Sequence, residues 1–116
     1  MSLFHPAERV HILLAPATTI EAYAETTVVT VCVGYSKDEM PRVQWKHDDN
    51  ILTNDTPSVV ICEALSTENG LLFVESILTL CDIRLNDTGN YSCIADNSFG
   101  SAESPFTLNV KPNRKS

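Results

Sequence analysis

An all-β fold, an antiparallel sandwich or barrel, is what the sequence predicts. Short β-branched and aromatic runs recur about every 8 to 12 residues, with turn residues between them. No stretch repeats apolar residues at i, i+3, i+4 and i+7 for three turns, so no helix is expected. One Asn-Gly pair, Asn69-Gly70, separates two of the runs and is the strongest short hairpin signal a sequence can carry.

The elements follow in order. Residues 10–14 form a first strand, ended by Ala15-Pro16 because proline cannot donate to a ladder. Residues 18–22 continue it after the break. Residues 28–33 read Val-Val-Thr-Val-Cys-Val, a strong strand. A strand over 42–47 follows the turn at Pro41. Asp48-Asp49-Asn50 is a polar turn rather than a cation site, and 51–53 is a short strand. Strands over 58–64 and 73–83 flank the Asn-Gly pair. Strands over 89–96 and 101–110 close the chain around a turn at Asn97-Ser98-Phe99-Gly100. The expected organisation is an extension over 1–9, of which 1–3 reads as an added start and scar, then one domain over 10–111. A polar linker or tail occupies 112–116.

A chain of 116 residues is one domain. Its net charge of −7 repels a phosphate backbone, so nucleic acid is not an expected partner. No apolar run exceeds four residues, far below the roughly 20 of a membrane span. No phosphate-binding glycine loop, HExxH or GxSxG occurs, and the carboxylates are scattered through turns and strands. His5, His11 and His47 are dispersed and read as ordinary surface residues. No enzyme, cofactor or metal is therefore expected.

Four cysteines, Cys32, Cys62, Cys81 and Cys93, have no zinc-type spacing and point to disulfides in an oxidising compartment. Three N-x-[ST] sequons, at Asn54, Asn86 and Asn90, point the same way. Pro57 directly after the first makes Asn54 the poorest acceptor of the three.

The decisive pattern joins Cys32, Trp45 and the string Asp87-x-Gly89-x-Tyr91-x-Cys93. With Leu78, Leu80, Ile83, Ala95, Asn97 and Gly100 in place, it resembles the immunoglobulin superfamily, and the I-set in particular. The resemblance runs over about 10–111 and implies a two-sheet antiparallel immunoglobulin-like sandwich of the I-set type. It implies a Cys32–Cys93 bridge between the sheets, Trp45 packed beside it, and Tyr91 turning its hydroxyl back onto the corner before its strand. Gly89 permits the tight turn into that strand. Two positions depart from the family pattern. No basic residue lies between Lys46 and Arg84 to pair with Asp87, so Asp87 is expected to cap backbone N–H groups locally. Thr30 takes an inward slot where an aliphatic residue is usual, so either its hydroxyl finds a carbonyl or the strand is bulged.

Cys62 and Cys81 face outward on neighbouring antiparallel strands. A two-residue turn at Asn69-Gly70 makes opposed residue numbers sum to 139 and sets the two thiols about 13 Å apart. A wider loop centred on Leu71-Leu72 makes the sum 143 and sets them opposite. The bridged register is preferred, because two unpaired outward thiols are a liability in a secreted protein. A second disulfide, Cys62–Cys81, is therefore expected. The alternative is two free cysteines in an intracellular module of the muscle-protein type.

The resulting expectation is a non-catalytic extracellular module of a cell-surface receptor, adhesion or matrix protein, acting by protein–protein binding. The alternative is a structural array module of an intracellular cytoskeletal protein. One outer face, bearing Arg42, Gln44, Lys46, Asn90, Ser92, Ile94, Asp96, Thr107 and Asn109, is polar. The other, on strands B, E and D in the family's lettering, carries Val29, Val31, Val33, Ile77, Thr79, Cys81, Val60, Cys62 and Ala64 and is expected to be uncharged. A protein ligand, a neighbouring domain or a second copy is expected to dock on this B–E–D face.

Overall fold

In the computed structural model, residues 10–113 are described. The extension over 1–9 and the end of the tail, 114–116, lie outside the described residues.

Two sheets face each other. One holds four strands in the order β1-β3-β7-β6: β1 His11–Leu14, β3 Val28–Ser36, β7 Leu71–Leu80 and β6 Val59–Glu68. The other holds five in the order β2-β9-β8-β4-β5: β2 Thr19–Tyr23, β9 Gly100–Lys111, β8 Gly89–Asn97, β4 Arg42–His47 and β5 Asn50–Leu52. The break at Pro16 sends the chain from one sheet to the other. β1 pairs antiparallel with β3, whereas β2 pairs parallel with β9. A single turn of 3-10 helix, Leu85–Asp87, precedes β8.

Alternation puts one face of each sheet into a common core. Trp45, Leu78, Ile83, Leu108, Cys32, Cys93 and Ala95 have no exposed surface. Cys32 of β3 and Cys93 of β8 are joined by a disulfide across the two sheets, with Cα atoms 6.5 Å apart. Trp45 lies opposite Cys93 in the β4–β8 ladder, and its Nε1 donates to Ser76 Oγ of β7 at 2.8 Å. The ring stands edge-on to Phe106, which stacks on Tyr91, which stacks on His47 at a ring separation of 4.1 Å. His47 reaches this position because residue 89 is glycine: a Cβ there would meet His47 Nε2 at 2.9 Å.

The corner before β8 holds itself together. Tyr91 Oη donates to the Asp87 carbonyl at 2.6 Å. Burial pushes the Tyr91 phenol up, and the Asp87 and Asp48 carboxylates push in the same direction, so the hydroxyl stays a donor. Asp87 Oδ2 accepts the Arg84 backbone N–H at 2.7 Å, while the Arg84 guanidinium turns away to Asp82. Thr30 points inward, and β3 runs against β7 from Val28 to Ser36 without a bulge. β3 therefore keeps Val29, Val31 and Val33 on the outside.

The β6–β7 hairpin corrects the expected second disulfide. Asn69 and Gly70 both take positive φ, +51° and +80°, the conformation of a two-residue type I′ turn. Glu68 then pairs with Leu71 and Cys62 with Ile77, while the Cys81 N–H donates to Ser58 O at 2.8 Å. Cys62 and Cys81 are free. Four residues along the strand, about 13 Å, separate their positions, beyond the reach of a disulfide. β7 also ends at Leu80 rather than at 83, because Asp82 adopts φ +50°.

Candidate binding face

The outer face of β3, β7 and β6 is assembled in rows fixed by the two ladders. Val29, Thr79 and Val60 form one row, and Val31, Ile77 and Cys62 the next. Val29 is 59% exposed and Val60 45%, while Val31 and Ile77 are half-buried by their neighbours. The third row is Val33, Glu75 and Ala64, and here the expected uncharged surface fails. Glu75 stands two residues before Ile77 on the same strand, so it shares that face, and it is exposed. Cys81 lies beyond the last row, just past the end of β7.

Beyond Glu75 the face continues as an aromatic row in which His11, Tyr35 and Phe73 lie side by side, with ring separations of 5.3 and 5.7 Å. A shallow groove of about 340 Å³ crosses this end, between Leu13, Val33, Ala64 and Phe73, with the carboxylates of Glu68 and Glu75 on its walls. The signal for Glu75, Leu13 and Phe73 was present in the alternation of the strands. For Glu75 and Phe73 it lies within the strand expected over 73–83, and for Leu13 it needs the sheet assignment of β1.

The opposite outer face carries two cross-strand ion pairs. Arg42 and Asp96 pair across β4 and β8 at 3.1 Å, and Lys111 pairs with Glu21 at 3.0 Å. Ser92 points outward there and is nonetheless buried, flanked in register by Lys46 and Pro105. Asn86, in the 3-10 turn, and Asn90, on β8, are both exposed. Asn54 is different. Its Oδ1 accepts the Ile61 N–H at 2.7 Å and its Nδ2 donates to the Ile61 carbonyl at 3.1 Å, so the side chain is bound to the backbone of β6. Among the described residues no group of three His, Cys, Asp or Glu side chains is placed to hold a metal ion, and no helix is long and apolar enough to cross a membrane.

Unreduced, denatured monomer is expected to titrate two thiols per chain, those of Cys62 and Cys81. A thiol-reactive chromophore measures this directly, and a count of zero would restore the second bridge.

Comparison with known proteins places these features. A family model for the immunoglobulin I-set domain matches residues 18–110. The fibroblast growth factor receptor of Halocynthia roretzi is 31% identical over 91 residues, 78% of this chain and 12% of the receptor. Hemicentin-1 of Mus musculus is 30% identical over 109 residues, 87% of this chain and 2% of hemicentin-1. Among solved structures, the N-terminal eight Ig domains of Down Syndrome Cell Adhesion Molecule superpose with a TM-score of 0.76 at 28% identity, over 87% of this chain and 12% of that one. Titin domains Z1Z2 in complex with telethonin superpose with a TM-score of 0.70 at 21% identity, over 92% and 50%; that likeness is one of fold alone. The chain spans 12% or less of the two curated relatives.

Proposed function

The chain belongs to the immunoglobulin I-set family, and from that premise we propose that it is a non-catalytic extracellular module of a cell-surface receptor, adhesion or matrix protein. It acts by binding another protein on the outer face of β3, β7 and β6. The observation that carries this reading is the contrast between the two outer faces. One carries the cross-strand ion pairs Arg42–Asp96 and Lys111–Glu21. The other leaves Val29 and Val60 exposed at one end and Leu13 exposed at the other, beside Glu75, a carboxylate without an ion-pair partner among the described residues. Exposed apolar surface of this kind marks interaction sites.

A partner that fits presents apolar side chains around a Lys or Arg aimed at Glu75. A second copy stacked face to face would add a carboxylate to that surface and no cation, so a different protein or a neighbouring domain suits it better.

The extracellular assignment is supported by the Cys32–Cys93 bridge, by exposed sequons at Asn86 and Asn90, and by relatives named as a receptor and an adhesion molecule. The two free thiols favour the alternative, an intracellular array module. Expression through a secretory pathway separates them. The expected product carries glycan on Asn86 or Asn90 and none on Asn54, seen as a mass increase that a glycosidase removes. A product without glycan and with Cys32 and Cys93 reduced would establish the array reading instead.

A further inference from the structure

The open edges of the two sheets are unequally protected. β5 has three residues, β1 has four and an irregularity between Ile12 and Leu14, and β2 is five residues long. β6 has ten residues and no neighbour on its outer side. Its ladder with β7 is phased by the hairpin turn and by the Cys81 N–H on Ser58 O. The even-numbered residues of β6 therefore bond to β7, and the odd-numbered ones aim their N–H and C=O groups at the open edge.

The first two odd positions are occupied. The Val59 N–H donates to Thr56 O at 3.2 Å. Both backbone groups of Ile61 are taken by the Asn54 side chain. The next three, Glu63, Leu65 and Thr67, have no such cover among the described residues. The open stretch is thus bounded by the Asn54 clamp at Ile61 and by the turn at Asn69-Gly70. It runs from Cys62 to Glu68, and its midpoint is Leu65, an apolar side chain left 62% exposed.

We propose that this stretch pairs antiparallel with the same stretch of a second copy, about a two-fold axis at Leu65, joining two four-stranded sheets into one of eight. In that register Leu65 meets Leu65 of the second copy, Glu63 lies opposite Thr67, Cys62 opposite Glu68, and Ala64 opposite Ser66. Each of the three odd-numbered pairs exchanges two backbone hydrogen bonds. No glutamate faces a glutamate. A shift of one residue either way runs Thr67 into the clamped Ile61 or Glu63 into the turn at Asn69. The register therefore follows from the bounds of the open stretch, and the sequence within it is complementary to itself. A foreign strand would have no such reason to match the length, the phase and the two glutamates. Because each chain carries −7, the dimer is expected to strengthen as salt screens the repulsion.

Sedimentation equilibrium of the whole chain in reducing buffer, over a range of concentration and salt, tests the pairing. The wild type is expected to show a monomer–dimer equilibrium that shifts to dimer with salt. Thr67→Lys places a cation opposite Glu63 twice per dimer and is expected to tighten it by about threefold to tenfold. Thr67→Glu opposes two like charges and is expected to loosen it by at least as much. Leu65→Pro removes an edge N–H and should give monomer; the Thr67 variants keep the test decisive if that protein does not fold. Val31→Glu, on the outer face, is expected to leave the dimer unchanged. A strict monomer at high concentration and high salt overturns the proposal. So does a dimer that Val31→Glu breaks and the Thr67 variants do not move.

Discussion

Trp45→Ala is expected to cost about 4 to 6 kcal/mol and to leave little folded protein. Truncation of a buried tryptophan costs roughly 3 to 5 kcal/mol through lost burial and the cavity left behind. Trp45 is at the upper end because its surroundings cannot collapse. The ring has no exposed surface, lies beside the inter-sheet disulfide, and abuts Phe106, itself held between Trp45 and Tyr91. The same change strips Ser76 Oγ of its donor in the core, and an unsatisfied buried hydroxyl adds about 1 kcal/mol or more. Domains of this size are stable by about 5 to 15 kcal/mol, so the loss is comparable to the whole. Urea titration followed by far-UV circular dichroism measures it. Trp45→Phe, which keeps a ring but no indole N–H, is expected to lose about half as much. Equal losses for the two variants would mean that the hydrogen bond, and not the volume, dominates.

The second large effect belongs to the bridge. Cys32 and Cys93 close a loop of 61 residues, and chain entropy assigns such a loop ~4.3 kcal/mol, all of it acting on the unfolded state. The Cys32→Ala/Cys93→Ala double variant is expected to lose about that much, with a lower urea midpoint and a steeper denaturant dependence than the bridged chain, because its unfolded state exposes more surface. The native packing should survive in what remains folded, since β3 and β8 are held by their own ladders. A loss below about 1 kcal/mol would show that the native fold carries strain at the bridge or that the unbridged unfolded chain is already compact.

Most of the fold was legible because its determinants are local. The β-branched runs, the proline break at residue 16 and the Asn-Gly turn each act within a few residues of themselves. The central disulfide was legible because its partners sit within a specific string around Trp45 and Tyr91. For Cys62 and Cys81 two requirements compete. The turn chemistry at Asn69-Gly70 demands one register, and an appeal to the cell compartment demands another. Positive φ at two adjacent residues is a steric requirement that Asn and Gly meet at little cost, so the local term decided. Glu75 belongs to the same alternation as Ile77 and Thr79, inside the strand expected over 73–83, so its charge on the outer face is a local feature of the sequence. The Asn54 clamp could not be read at all. It depends on the 53–58 loop folding back on β6, and nothing in the spacing of Asn54 and Ile61 marks that contact. The polar outer face was legible as polar, but the pairing of Arg42 with Asp96 needed the β4–β8 register.

The placement of the two free thiols has a consequence for how the chain becomes oxidised. Both lie inside the loop that the native bridge closes. Cys81 is 12 residues from Cys93, Cys62 is 19 from Cys81, and Cys32 is 30 from Cys62, against 61 for the native pair. Every wrong bridge between neighbouring cysteines therefore closes a shorter loop than the right one. Loop closure becomes costlier by about 0.6 kcal/mol per doubling of length, so in an unfolded chain Cys81–Cys93 forms about ten times as readily as Cys32–Cys93. Oxidation that outruns sheet formation will trap mispaired chains. A thiol that the wrong bridge leaves unpaired, such as Cys32 in a chain bridged Cys81–Cys93, can release it by thiol–disulfide exchange. The order of events matters for yield: β3 and β8 must face each other before the oxidant arrives, or exchange must remain faster than collapse around the wrong pair.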